Sequence, residues 1–291
     1  MSRTILALIA DLHCGHKLAL CPPGITLHDE AADGQLMPYT PQLTASQKYL
    51  WTLYQGGITA TLNFARGDPV MVVCNGDLTQ GSKHPEGLMT TRMSDQIDIG
   101  VACLAEWLRR PGVTGLRLAA GTSAHNFGEA TADILASTHL QATYPRHSVS
   151  VCYHGLMTYN GLAVDYAHHG PHPGSRTWLA GNIARFYLRD LMLREITAGR
   201  IPPGLVLRAH YHIPADETVT VGRYTSRIIL SPSFTVLGDY AVMRSQSTPE
   251  VTNGMIAIEV VDGRVGEVRE WTNTIDVRTR EQWTPTPSAA R

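Results

Sequence analysis

Apolar and polar positions fall in alternating blocks along this chain. Short aliphatic and β-branched runs at 5–10, 70–74, 116–120, 148–159, 162–167 and 205–208 read as strands, several followed at once by Gly, Asp, Asn or His. Between them lie segments with apolar residues three and four apart. Residues 46–66 carry Tyr49, Leu50, Leu53, Tyr54 and Ile58 near helical spacing, a pattern weakened by Gly56-Gly57. A second helix is expected over 95–110, stopped by Pro111-Gly112, and the longest helical pattern covers 177–199. Asn160-Gly161 predicts a tight hairpin, with further hairpins around Gly222 and Asp262-Gly263. Residues 14–44, rich in Pro and Gly, read as a long loop that could roof a site. Strands alternating with helices predict an α/β layered fold, one domain over 1–271, and a polar tail, 272–291, that docks and then frays.

Composition narrows the class without naming a function. With 291 residues, 43% of them hydrophobic and 17% charged, the chain can bury a sizeable core and is not disordered. Lys plus Arg (24) nearly cancel Asp plus Glu (25), so no basic coat for nucleic acid exists, although a local basic groove is compatible with these numbers. No apolar run approaches the roughly 18 residues of a membrane helix, so no membrane partner is expected. The run 5–10 is short for a secretory leader and is interrupted by Asp11 and His13. Cys14, Cys21, Cys74, Cys103 and Cys152 are odd in number, scattered and free of CxxC pairs. They fit a reducing compartment, so the cytoplasm is expected.

The chemistry is concentrated where strands end. In order come Asp11-Leu12-His13, Gly76-Asp77, Gly121 to His125-Asn126, His168-His169-Gly170 and His210-Tyr211-His212. Residues two apart in an extended segment point the same way, so Asp11 with His13, and His210 with His212, can each face one point. Each motif alone has a bland reading as a turn, a cap or a surface histidine. Five in succession at the carboxyl ends of buried strands are what a two-metal site needs, and imidazole mixed with carboxylate suits manganese, zinc or iron. His16, His28, His84, His139, His147, His154 and His172 lack such support and read as surface or loop. Cys14 and Cys74 read as small core residues turned away from their ligand neighbours.

This order of motifs resembles the calcineurin-like metallophosphoesterase family, whose pattern runs DxH, GD, GNH, H and GHxH. The resemblance spans residues 5–212, with Ala209 standing where the last motif has glycine. It implies a four-layer α/β/β/α sandwich of two mixed sheets, with two divalent ions at one edge: manganese first, with zinc, iron or nickel as alternatives. It further implies a subgroup found in phage and prophage genomes, and hence a bacterial or phage-infected cytoplasm. Carried over by position, Asp11, His13 and His212 would hold the first metal, Asp77 would bridge, and His168 and His210 would hold the second. The third motif departs from the pattern. Thr122 and Ser123 follow Gly121, and His125 arrives two positions late, so His125 could be a ligand or the phosphate-facing group, and Asn126 could turn in as an amide ligand.

The activity implied is hydrolysis of phosphate esters by metal-activated water, with Asp77 and His125 catalytic and phosphodiesters, of a nucleotide or nucleic acid, ahead of monoesters. His169, Asn126 and Arg176 are further candidates for substrate or supporting contacts, and Arg185 shares the phosphate-contact reading with a solvated helix face. Alternatives are a catalytically weakened metal-binding or protein-interaction module with the same fold, and a phosphomonoesterase or protein phosphatase. Oligomeric state is left open.

Overall fold

Ile5, Leu6, Ala7, Leu8 and Ile9 are all fully buried, so the strand they form must be covered on both faces. A computed structural model describes residues 2–83, 85–172, 179–236 and 250–282. In chain order its strands are β1 (Arg3–Ile9), β2 (Leu27–Glu30), β3 (Leu36–Tyr39), β4 (Val70–Cys74), β5 (Val113–Ala119), β6 (Ser148–Cys152), β7 (His154–Tyr159), β8 (Leu162–Ala167), β9 (Leu205–Arg208), β10 (Ala215–Val221), β11 (Tyr224–Leu230), β12 (Glu250–Val261) and β13 (Arg264–Asp276). The helices are α1 (Ala45–Ala65), α2 (Met93–Leu108), α3 (Thr131–Thr143) and α4 (Ala180–Thr197).

Two mixed sheets carry the fold. One has the order β13-β12-β1-β4-β5-β6 and the other β10-β11-β9-β8-β7. In the first, β1, β4, β5 and β6 run parallel; in the second, β8, β9 and β11 do. Strand pleating sends alternate residues to different cores. Ile5, Ala7 and Ile9 of β1 join Val70, Val72 and Cys74 of β4 in a cluster with α1, α2 and α3. Leu6, Leu8, Met71 and Val73 point the other way, onto Val164, Tyr166, Leu205, Leu207 and Ile229 of the second sheet. Val206 and Ile228 then face Ala184, Leu188 and Met192 of α4.

The local signals explain most of these elements. Thr44 caps α1 in a capping box with Gln47, which sets the helix start. Asn160 and Gly161, with φ of 46° and 79°, make the two-residue turn between the paired Tyr159 and Leu162. Where the structure departs from the sequence reading, packing is the cause. Residues 148–159 do not form one strand: the chain bends at Tyr153, leaving β6 in the first sheet and β7 in the second. The helix α3 escapes the apolar pattern because it packs through small residues, Ala132 and Ala136, together with Leu140, while Ile134 and Leu135 are exposed.

Two expectations are refined. Residues 14–44 are more ordered than a plain loop: Leu20, Cys21 and Leu27 are fully buried in the cluster with α1 and α2, and β2 pairs with β3. The tail does not begin at 272, because β13 continues to Asp276, paired with Glu250, and Thr274 meets Thr252 side chain to side chain. The end of that expected tail, 283–291, and the start of the expected helix at Thr177 lie outside the described residues. Cys14 and Cys74 are core residues, and all five cysteines are free thiols. His28 is more than a loop residue, since both its backbone N–H and its ring meet the buried Asp95 carboxylate. Among the described residues no helix is long and apolar enough to cross a membrane.

The central layer between the sheets is dry and closely packed. Truncating the fully buried Leu207 to alanine is expected to cost about 2–5 kcal/mol. The same change at the exposed Leu36 should stay within about 0.5 kcal/mol, and urea unfolding of both variants measures the contrast.

Candidate metal centre

The carboxyl ends of β1, β4, β5, β8 and β9 meet at one edge of the paired sheets, the place where open α/β sheets bind ligands. Beyond Ile9 and Cys74 the two chain segments run on side by side: Asp11 N–H donates to Gly76 C=O at 3.0 Å, and His13 N–H to Asp77 C=O at 2.9 Å. Asn75 ties the sheets together here. Its side-chain amide donates to Ala167 C=O at 2.9 Å, while its own C=O lies 2.8 Å from His168 Nδ1.

Asp11, His13, Asp77, His210 and His212 all adopt left-handed backbone φ, at 52°, 44°, 49°, 81° and 57°. Such conformations cost about 1–3 kcal/mol each for residues with a side chain and cluster at functional sites. Convergence therefore does not come from strand alternation, since β1 ends at Ile9 and β9 at Arg208 before the polar residues begin. The left-handed residues re-aim the side chains instead. Glycine is required where backbones press closest: a Cβ on Gly76 (φ 97°) would collide with the His168 ring, and one on Gly121 with the Asp77 backbone and carboxylate.

The side chains brought together are Asp11, His13, Asp77, His125, His168, His169, His210 and His212. Among the described residues they make four overlapping groups that could each hold a cation: Asp11/His13/His212, Asp11/Asp77/His168, His13/Asp77/His125 and His168/His169/His210. On one side, His212 Nε2 lies 3.3 Å from both Asp11 Oδ1 and His13 Nε2. On the other, His168 Nε2 lies 3.1 Å from both Asp77 Oδ2 and His210 Nδ1. Asp77 Oδ2 stands between the two sides, 4.0 Å from His13 Nε2 and 4.0 Å from His125 Nε2. Its other oxygen, Oδ1, accepts the Thr122 backbone N–H at 2.6 Å.

The donor set fits a cation on chemical grounds. Asp11 is 0% exposed and Asp77 2%, so two carboxylates are removed from water, which is costly without compensating charge. Asp11 Oδ1 is buried with no hydrogen-bond donor. The His13 and His212 nitrogens face each other at 3.3 Å, and at most one of them can carry the intervening proton. Backbone carbonyls orient two of the rings: Asn75 C=O faces His168 Nδ1, and Gln80 C=O faces His125 Nδ1 at 2.7 Å. A carbonyl only accepts, so each Nδ1 carries the hydrogen and each Nε2 is turned into the site.

Titration follows from the same contacts. Burial pushes the Asp11 and Asp77 carboxyls up, but His212 for the first and His168 for the second outweigh it and hold both below the ordinary carboxylate range. Burial lowers His168, yet the bond to Asp77 carries it up to about 9. His13 is held well below its usual value by burial and then by His125, and His210 is lowered to about 4 by burial and His168. Burial and His168 also lower His169, which stands exposed beside His210. Without a cation, His168 is thus the protonated partner of Asp77, while His13 and His210 stay neutral.

Asn126 does not join the group. Its amide donates to the Asp133 carboxylate, and its Oδ1 accepts Asp133 N–H at 3.2 Å. Arg185 is engaged with Glu217 at 2.7 Å, and Arg176 lies outside the described residues. Two residues that the motifs did not single out matter here. Thr122 sits among the second group of ligand atoms, and Asp133, in the first turn of α3, accepts Gly121 N–H at 3.0 Å and so holds the loop at 121–126. Their signal in the sequence is faint: a threonine after a strand-end glycine, and an aspartate in an unannounced helix.

No family model matches the chain, and no curated protein matches it. Among solved structures, it is similar to Thermus thermophilus sulfate thiohydrolase SoxB in complex with glycerol, at 12% identity and a TM-score of 0.39, covering 95% of this chain and 57% of that one. The chain thus spans little more than half of SoxB's length. It is also similar to the Thermotoga maritima protein TM1076, at 13% identity and a TM-score of 0.33, covering 94% of this chain and 100% of that one. Both likenesses are too loose to bear on chemistry.

Asp133 gives a pH-dependent prediction. Burial pushes its carboxyl up to about 6 from 3.8, against the bonds from Gly121 and Asn126. A group that holds its proton more tightly when folded stabilises most below its unfolded pKa, and that contribution is lost as pH rises through the folded value. Stability is expected to fall by about 3 kcal/mol between pH 4 and 6 from this residue alone. Asp133→Asn should flatten that window, as measured by urea unfolding at a series of pH values; an unchanged slope would reject the assignment.

Proposed function

We propose that this chain is a dinuclear-metal-dependent phosphoesterase on a four-layer α/β/β/α sandwich, hydrolysing phosphate esters, with phosphodiesters of the nucleotide or nucleic-acid type first among them. The observation that carries this reading is the pair of ligand groups on either side of Asp77 Oδ2. Asp11, His13 and His212 would hold one divalent ion and His168 and His210 the other, with Asp77 placed to serve both. Manganese is the first candidate. The ions, when bound, would polarise a phosphate ester and lower the pKa of a water toward about 7.

The chain's own residues do the rest. Fixed tautomers at His168 and His125 keep each Nε2 directed inward without reorganisation during reaction. Asp77 is locked by the Thr122 N–H, so its free oxygen is held between the two sides. His125 packs edge-on against His13, with ring centroids 4.6 Å apart, at a partly exposed position from which a protonated Nε2 can donate to a departing oxygen. His169, exposed beside His210, is placed for a substrate or supporting contact. The near-neutral net charge suits a small or locally gripped substrate more than a long duplex. The free thiols suit a cytoplasmic setting.

The test is turnover of bis-p-nitrophenyl phosphate and p-nitrophenyl phosphate by chelator-treated protein with and without manganese. Metal-dependent turnover is expected, faster on the diester, with Asp77→Asn lowering it by at least about 100-fold. His125→Ala should cost about 100-fold on alkyl esters and much less on p-nitrophenyl esters, whose leaving group needs no proton. Two bound metals with no turnover of any ester would leave a binding module in place of an enzyme.

A further inference from the structure

Thr122 is the N-cap of the short 3-10 turn Ser123–His125, yet its side chain makes no capping hydrogen bond. A threonine in that place ordinarily turns its hydroxyl onto the following N–H groups. Here Oγ1 points elsewhere. It stands 3.4 Å from Asp77 Oδ2, 3.3 Å from His168 Nε2 and 3.3 Å from His210 Nδ1.

With the two 3.1 Å separations made by His168 Nε2, five of the six pairs among these four atoms lie 3.1–3.4 Å apart. They come from the ends of four different strands, β4, β5, β8 and β9. Ligand atoms around a tetrahedral ion with bonds of about 2.0–2.1 Å are about 3.3–3.4 Å apart, and adjacent ligands of an octahedral one about 3.0 Å. The hydroxyl can give its one proton to Asp77 Oδ2 only across a long 3.4 Å, and its lone pairs remain for other partners. A hydroxyl oxygen this close to two imidazole nitrogens and a carboxylate oxygen completes a donor set that suits a cation. The residue is also preset: its N–H bond to Asp77 Oδ1 at 2.6 Å fixes it to the carboxylate that it would accompany.

We propose that Thr122 Oγ1 is the fourth protein ligand of the second cation pocket, with Asp77 Oδ2, His168 Nε2 and His210 Nδ1. This rests on the two-cation reading above. It leaves His125, 4.0 Å from Asp77 Oδ2, outside that pocket and available to substrate. Asn126, held by Asp133, has no part in it.

Titration calorimetry of the metal-free full chain with manganese, paralleled by visible absorption with cobalt, tests the assignment. The wild type should take two equivalents. Thr122→Val, which keeps the shape and removes the oxygen, should weaken the second equivalent by about tenfold or more, leave the first unchanged and alter the bands of the second cobalt. Thr122→Ser should restore both affinity and spectrum. Should the valine variant fail to fold, Thr122→Ala carries the same outcomes. Two equivalents with wild-type affinity and spectrum in Thr122→Val or Thr122→Ala would overturn the ligand while sparing the dinuclear reading. Fewer than two equivalents in the wild type would overturn both.

Discussion

Asp11 and Asp77 bring two carboxylates into the interior almost without access to water, and the surroundings of the site are arranged around that cost. Several kcal/mol per ion would be lost if nothing positive stood opposite. In the metal-free protein part of the compensation comes from His168, whose proton Asp77 retains up to a pH of about 9. That arrangement is incomplete, since Asp11 Oδ1 has no hydrogen-bond partner and the His13 and His212 nitrogens meet at 3.3 Å with at most one proton between them. Cations at this edge would satisfy all of these atoms together. The same groups that look frustrated as hydrogen-bond partners are consistent as ligands.

Holding the groups there takes both sheets. β1, β4 and β5 of the first deliver Asp11, His13, Asp77, Thr122 and His125; β8 and β9 of the second deliver His168, His169, His210 and His212. The layer of Leu6, Leu8, Val73, Val164 and Leu207 fixes the sheets against each other, and Asn75 bolts them at the site itself. The backbone adds its own constraint. Five of the inward residues have left-handed φ, a cost that the packing beneath them must sustain. Stability and site geometry are therefore coupled through the central layer.

Much of this was legible in the residues. The strands at 70–74 and 205–208 and the hairpin at Asn160-Gly161 follow from β-branched runs and turn chemistry, which act locally. The gathering of Asp11, His13, Asp77, His168, His210 and His212 followed from their order at strand ends. Pleat alternation is not what gathers them, because it stops at Ile9 and Arg208 and left-handed residues take over. A single sequence does not announce a left-handed aspartate or histidine. Nor did it separate β6 from β7, since the bend falls on Tyr153, itself a good strand former, and Gly155 just beyond it reads equally well as a strand residue. Asn126 looked like a ligand in waiting until Asp133, in a helix built on alanines, claimed both ends of its amide. Thr122 was passed over because a threonine after a glycine is an ordinary turn residue until its neighbours in space are known.

The central claim is that two cations share Asp77. Anomalous diffraction from crystals of the full chain grown with manganese measures it directly. The account predicts two peaks about 3.5–4 Å apart on either side of the Asp77 carboxylate, one near Asp11, His13 and His212 and the other near His168 and His210. A single peak away from Asp77, or none at this edge of the sheets, would contradict it.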